Sequence, residues 1–359
     1  MRVALDTGPL HGHRTGIGRA VGDLTTALTD RDDVDLHPYV LSFRAELREG
    51  ETRLPLPARL ATRLWARASW PHADRWLREV DLVHGTNYIA PPTKLPTLIS
   101  MYDCWFLEHP QSANDDVRRA GEILKRAVAH GAWVHTSSDA STRKAAALLG
   151  TDRVRTVHLG PGEASNAPEK APRSCEQFAT DRFVVAIGTT EYRKRHPWLV
   201  ELLPILQSDV SLVIAGAHGD NTQELTNAIE ALPTARRSRV HALGPIDAPT
   251  KAWLLTHASA MAYPSLDEGF GFPILEAQRA GLPLVASDVG SIGEVGGDGL
   301  ILVDVDDAEG FAAALDSVVP KSHERQQLID RGYANVTRFS WQRCADEMVT
   351  LYREVLESS

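Results

Sequence analysis

The feature that most constrains this chain is an alternation. Short β-branched runs recur between longer stretches of helical periodicity, twice over, along 359 residues. In the first half the runs are Val80-Asp81-Leu82-Val83-His84, Thr97-Leu98-Ile99-Ser100-Met101, Trp133-Val134-His135-Thr136 and Val154-Arg155-Thr156-Val157, and residues 1–6 open the chain as a strand. Helical patterns over 115–132 and 138–149 separate them, the second stopped by Gly150. Strands alternating with helices predict parallel sheets covered on both faces.

Residues 160–172 break the pattern with three prolines and no periodicity, and read as a linker. A second alternation follows. Strands are expected at 183–187, 211–215, 240–243, 260–263 and 282–286, with helices at 197–206, 221–232 and 248–258. The fold class is therefore α/β, with two doubly wound, Rossmann-like domains, 1–165 and 178–339. The segment 340–359, apolar at Trp341, Met348, Leu351, Tyr352 and Leu356, reads as a helix that packs back on the first domain. Open α/β sheets bind ligands beyond the carboxyl ends of their strands, so function is expected in a cleft where the two domains face each other.

Composition excludes several classes. A net charge of −9 argues against general nucleic-acid binding. No apolar run approaches the roughly 18 residues of a membrane span, and residues 1–6 are expected to form a strand rather than a secretory leader. Three scattered cysteines form neither a disulfide framework nor a CxxC pair, which points to a reducing, cytoplasmic setting. No metal is expected. His11 and His13 lack companion ligands in sequence, and Asp32-Asp33 and Asp306-Asp307 read as turn or surface acids.

The chemistry concentrates in Pro264-Ser265-Leu266-Asp267-Glu268-Gly269-Phe270-Gly271-Phe272-Pro273-Ile274-Leu275-Glu276-Ala277. A strand ends near Tyr263, and Gly269 and Gly271 let the backbone approach a ligand closely. Pro273 suits the first turn of a helix that runs to about Ala280. The unpaired amides there favour an anion or sugar oxygens. Glu268 and Glu276 flank that helix start, and either can accept two hydrogen bonds from a cis-diol. Taken singly, each is better explained as a dipole partner (Glu276) or a solvated loop acid (Glu268); the combination favours function. Arg193-Lys194-Arg195 adds three cations after a strand, where a phosphate would sit.

Two glutamates eight positions apart, with Gly-Phe-Gly-Phe-Pro between them, resemble the signature of retaining glycosyltransferases of family 4, which have the GT-B fold. The resemblance extends to Thr15-Gly16-Ile17-Gly18-Arg19, His84-Gly85-Thr86-Asn87-Tyr88, Ile187-Gly188-Thr189-Thr190-Glu191-Tyr192-Arg193-Lys194 and Gly293-Glu294-Val295. It implies an N-terminal acceptor domain and a C-terminal donor domain. It gives Glu276 the nucleotide ribose, and Glu268, Gly269, Phe270, Gly271 and Phe272 the donor sugar side. Lys194 falls on the donor diphosphate. The family commonly has Arg after the strand glycine; this chain has Thr189, and Arg193 takes that charge. Gly16 would approach the donor phosphates from a long loop feeding a helix at Arg19. A dinucleotide fingerprint at Gly16-Ile17-Gly18 is set aside, because nine residues separate it from the strand end at Asp6.

The family usually has His-Asp where this chain has Tyr102-Asp103. Tyr102 can hydrogen-bond a sugar hydroxyl but is a poor base, and Asp103 and Asn87 are further acceptor-side candidates. Retention by front-face attack, in which the leaving phosphate takes the acceptor proton, would need no side-chain base. The substrate is a nucleotide diphosphate sugar, with GDP-mannose preferred, and the acceptor a saccharide, a lipid-linked sugar or a small molecule. A catalytically silent nucleotide-sugar-binding homologue and a sugar-nucleotide epimerase are the alternatives. Finally, Arg59, Arg63, Arg67 and Trp65 form a basic amphipathic stretch that could meet the anionic inner face of a membrane; an ordinary surface helix is favoured, because Pro71 interrupts the pattern.

Overall fold

A computed structural model describes residues 1–12, 16–111, 113–162 and 166–358. The chain divides into two compact units, one holding residues up to Gly160 together with the segment from Phe339 onward, the other running from Pro161 to Arg338.

The first unit contains β1 (Arg2–Asp6), α1 (Gly16–Thr29), β2 (Asp35–Leu41), β3 (Thr52–Leu54), α2 (Ala58–Arg67), β4 (Leu82–Gly85) and β5 (Thr97–Met101). It continues with α3 (Trp105–Glu108), α4 (Asp115–Ala129), β6 (Trp133–Thr136), α5 (Asp139–Leu149) and β7 (Val154–Thr156). All strands are parallel, in the order β3-β2-β1-β4-β5-β6-β7. The central strands β4 and β6 are buried along their whole length, which fits a sheet covered on both faces. Ser138 caps α5 by accepting from the Ser141 amide, and Gly150 ends it in the left-handed conformation that a side chain resists.

The second unit contains β8 (Phe183–Ile187), α6 (His196–Leu202), β9 (Ser211–Ala215), α7 (Thr222–Ala231), α8 (Thr234–Arg237), β10 (Val240–Gly244), α9 (Ala248–His257) and β11 (Ala260–Tyr263). Then come α10 (Phe272–Arg279), β12 (Leu284–Ser287), α11 (Ile292–Gly296), β13 (Ile301–Val303), α12 (Ala308–Val318) and α13 (His323–Val336). Its parallel sheet runs β10-β9-β8-β11-β12-β13. The helix α14 (Trp341–Glu357) belongs to the first unit. Its Tyr352 hydroxyl lies 2.8 Å from Nδ1 of the buried His84, and Glu354 binds Arg155 at 2.6 Å.

Several expectations are revised. The second unit begins at Pro161 rather than at 178, because Cys175 and Phe178, in the turn Arg173–Phe178, are buried with Phe183 and Trp253 in its core. The helix near Gly16 starts at Gly16, not Arg19, and Gly18 lies on its buried face. His13 and Thr15 fall outside the described residues. Sequence periodicity missed β2, which carries Pro38 and polar residues, and the three-residue β3 and β13, too short to show a pattern.

Candidate active site

The second sheet reverses its strand order between β8 and β11, the neighbours from which it winds outward in both directions. The carboxyl ends of such a strand pair splay apart and leave room for a ligand. From β8 the chain passes through Gly188 to the turn Tyr192–Lys194, and from β11 through Ser265 to α10.

The side chains that meet there form a compact ionic cluster. Glu268 is buried and accepts from Lys194 Nζ, from Arg193 Nη1 at 3.1 Å and from the Ser265 hydroxyl at 2.7 Å. Lys194, also buried, donates to the Tyr263 hydroxyl at 3.1 Å, and its ammonium stands 5.0 Å from that ring's centre. Burial pushes the Glu268 carboxyl up, but the charges of Lys194 and Arg193 outweigh it and hold it at about 2. Burial lowers the Lys194 ammonium from its usual value, partly offset by Glu268. The phenol of Tyr263 is raised by burial and by Glu268. His196, next along the chain, is pushed down to about 4 by burial and by Lys194, so it is neutral at pH 7.

Arg193 is held from several sides. Its Nε donates to Glu191 at 2.9 Å, its Nη1 to the Asp267 carbonyl at 3.3 Å, and its own carbonyl accepts from the Leu266 amide at 2.7 Å. The guanidinium is thus locked between the two strand-end loops. An anionic phosphate arriving here would exchange with Glu191 or Glu268 for these donors. The third cation of the run does not join them: Arg195 adopts a left-handed backbone, lies 4.3 Å over the Trp198 ring and binds Asp306 at 3.3 Å.

The glycine loop is built as its residues require. Gly271 has φ +93° and starts α10; a Cβ there would stand 2.8 Å from Ile274 Cδ1. Phe270 is buried, edge-on to Phe272 at 5.3 Å. Ser291, just before α11, donates its hydroxyl to the carbonyls of Glu268 (2.9 Å) and Phe270 (3.1 Å), which fixes the loop on either side of Gly269. Glu276 lies on the buried face of α10 and forms an ion pair with Lys251 of α9. The two glutamates therefore hold separate cations. Gly162 sits against Glu276, where a Cβ would come within 2.6 Å of its Oε1. Sequence reasoning missed Lys251, Ser265, Ser291 and the Tyr263 hydroxyl. No local pattern marks them: Lys251, Ser291 and Tyr263 act on segments distant in sequence, and Ser265 acts on Glu268 three residues on without any periodicity to single it out.

The first unit presents its own strand ends. Tyr102 is buried, its hydroxyl bonded to Ser100, with its ring edge-on to Tyr88 and His135; burial raises its phenol. It is therefore a packing residue with an inward-directed hydroxyl, not an open sugar contact. Asp103 accepts from the Tyr88 hydroxyl at 3.1 Å and from the Trp105 amide at 3.2 Å, and so serves in part as a loop cap. Asn87 is exposed just past β4. Gly16 opens α1 with nothing within 4 Å of a built Cβ. At the end of β1, Asp6 accepts from the Gly8 amide at 2.9 Å, and burial pushes its carboxyl up to about 6. Nearby His11 lies 3.1 Å from Glu51, a partner invisible in sequence. No cluster of three metal-ligating side chains occurs among the described residues. Trp65 is corrected as a membrane contact. It is fully buried, with its indole N–H on the Pro71 carbonyl at 3.1 Å, while Arg59, Arg63 and Arg67 are exposed.

Residues 169–335, most of the second unit, match the family described as glycosyl transferases group 1. That unit is similar to the group 1 glycosyltransferases, and the chain has the GT-B fold, with two Rossmann-like domains. The O-antigen chain mannosyltransferase B of Escherichia coli is 26% identical over 98% of this chain and 100% of its own length. A phosphatidyl-myo-inositol mannosyltransferase of Mycolicibacterium smegmatis is 32% identical over 61% of this chain and 56% of its own. Among solved structures, Anabaena HepE in complex with UDP and glucose superposes with a TM-score of 0.73 at 17% identity, over 99% of this chain and 100% of that one, a likeness of fold.

Proposed function

We propose that the chain is a retaining, metal-independent hexosyltransferase. It moves a sugar, with mannose from GDP-mannose preferred, from a nucleoside diphosphate to a hydroxyl of a saccharide, glycolipid or small-molecule acceptor. The observation that carries this reading is the buried Lys194–Arg193–Glu268 cluster at the strand-order reversal, beside a glycine loop that opens a helix. The mannosyltransferase names of two relatives support the choice of sugar.

The barrier to such a transfer is charge separation between a cationic anomeric carbon and a departing diphosphate. Lys194 and Arg193 supply preorganised positive charge for the leaving group, and the burial of Lys194 and partial burial of Arg193 make that charge count for more than it would in water. Glu268 holds both cations in place and, with the loop 269–272, meets the sugar. Glu276 receives the ribose hydroxyls as they displace Lys251. As the bond from the anomeric carbon to phosphate oxygen breaks, the acceptor oxygen bonds to that carbon on the same face, and the acceptor proton passes to the released phosphate. On this reading the protein works on the cytoplasmic side, where the exposed Arg59, Arg63 and Arg67 provide an electrostatic contact with anionic membrane.

The test is turnover of a panel of nucleotide sugars. GDP-mannose should release GDP slowly alone and faster with an acceptor, in the presence of EDTA, and the product should keep the donor's anomeric configuration by NMR. Lys194→Ala should lower kcat about 100-fold while the protein stays folded, and Glu276→Ala should weaken nucleotide binding by calorimetry. Interconversion of donors would establish an epimerase instead, and nucleotide binding without turnover a silent homologue.

A further inference from the structure

At the amino end of the first sheet, opposite the strand ends described above, lies a cavity of about 420 Å³. Its walls come from α2, α4 and the segments that lead into β5, β6 and β7. Trp65, Pro91, Pro96 and Ile123 supply apolar wall, which makes up about half of its surface. Three basic side chains, Lys94, Arg126 and Arg153, line it, and among the described residues no carboxylate does. Asp74, two residues from the lining His72, is committed elsewhere: it accepts from the Thr93 hydroxyl and the Lys94 amide, both at 2.8 Å, and lies 3.2 Å from His72.

Arg126 carries the argument. Its Nε is buried and has no hydrogen-bond partner, and its Nη2 reaches the Ala66 carbonyl only at 3.4 Å. A buried guanidinium donor left unmatched is costly, and native proteins avoid it unless something fills the place. Arg153 sits on the same cavity with its Nη1 on the Gly131 carbonyl at 2.8 Å, so its head is held in position. Lys94 and His130 at the rim are exposed. The result is a chamber of mixed lining, apolar on the side of Trp65 and Ile123 and with a fixed, under-partnered cationic wall, which is complementary to an organic anion.

We propose that this cavity binds a small organic phosphate, with an apolar body against Trp65 and Ile123 and the oxyanion on Arg126. The site is distinct from the catalytic edge. The five residues of β5 separate Thr97, which lines the cavity, from Tyr102 beyond the strand's other end, about 16 Å away at 3.3 Å per residue.

The full chain is titrated calorimetrically with 1-naphthyl phosphate, with 1-naphthol and inorganic phosphate as half-ligands, and separately with phosphatidic acid vesicles. One molecule of 1-naphthyl phosphate should bind, at least tenfold more tightly than either half. Arg126→Met should weaken it tenfold or more, and Arg126→Lys should recover part of the loss, while nucleotide-sugar turnover is unchanged. Lys94→Gln, on the surface, should weaken binding about threefold and keeps the test open if the Arg126 variants fail to fold. Arg126-dependent binding of the soluble ester identifies a free ligand; the same dependence seen only with vesicles identifies a lipid headgroup as the source of the phosphate. Binding to neither, or binding untouched by both Arg126→Met and Lys94→Gln, overturns the proposal.

Discussion

Replacing Glu268 by Gln removes one charge from the ionic cluster and almost no volume. Gln can still accept from Ser265, so the change isolates the charge. Lys194 then remains buried, and Arg193 partly buried, beside a neutral amide, and a buried ion pair broken on one side costs about 3 to 5 kcal/mol. For a unit of this size that lowers Tm by about 6 to 20 °C at pH 7. The pH dependence gives the sharper check. In the parent, Glu268 has a folded value of about 2, below its ordinary 4.5, so its contribution is complete above pH 4.5 and fades as pH falls towards 2. In the variant, the orphaned Lys194 ammonium is depressed further, and a depressed lysine favours the folded state as pH rises towards its ordinary 10.5. The deficit should therefore be largest near neutrality and narrow both below pH 4 and above pH 9. The assay is calorimetric or circular-dichroism melting of parent and variant from pH 3 to 10. A Tm within 2 °C of the parent at pH 7, or a deficit flat across that range, would refute the claim that these charges are held together against desolvation.

Two further outcomes concern the scaffold of the site. Ser100 bridges His84 Nε2 and His135 Nδ1, both at 2.8 Å, so Ser100→Ala orphans two buried nitrogens and should cost about 2 to 5 kcal/mol in urea titration. Burial holds His84 at about 3 and His135 at about 4, so both stay neutral in the fold; parent stability should fall from pH 6.5 towards 4, by about 1.4 kcal/mol per pH unit for each histidine. Gly271→Ala forces a side chain into φ +93° and against Ile274, and should cost about 2 kcal/mol together with a weaker nucleotide affinity, read by melting and calorimetry.

Much of the architecture was legible because its signals are local. The strands over 183–187, 211–215 and 260–263 coincide with β8, β9 and β11, since buried parallel strands are continuous apolar runs. Pro273 and Gly271 marked the start of α10 through backbone constraints that operate within a few residues. Elements whose pattern is diluted, such as β2 with Pro38, were not legible.

The sequence by itself determined two parallel α/β sheets, the break between them, and which loop carries the glycines and the acids, because hydrophobic period, proline and glycine act over short stretches of chain. It did not determine partners. That Glu268 faces Lys194 and Arg193, that Glu276 meets Lys251, that Arg195 turns away, and that Tyr102 and Trp65 are buried were decided by tertiary packing. The reason is physical: ion pairs and burial depend on which strand ends lie side by side, and the strand order that sets this comes from crossover connections between strands that are separated in sequence.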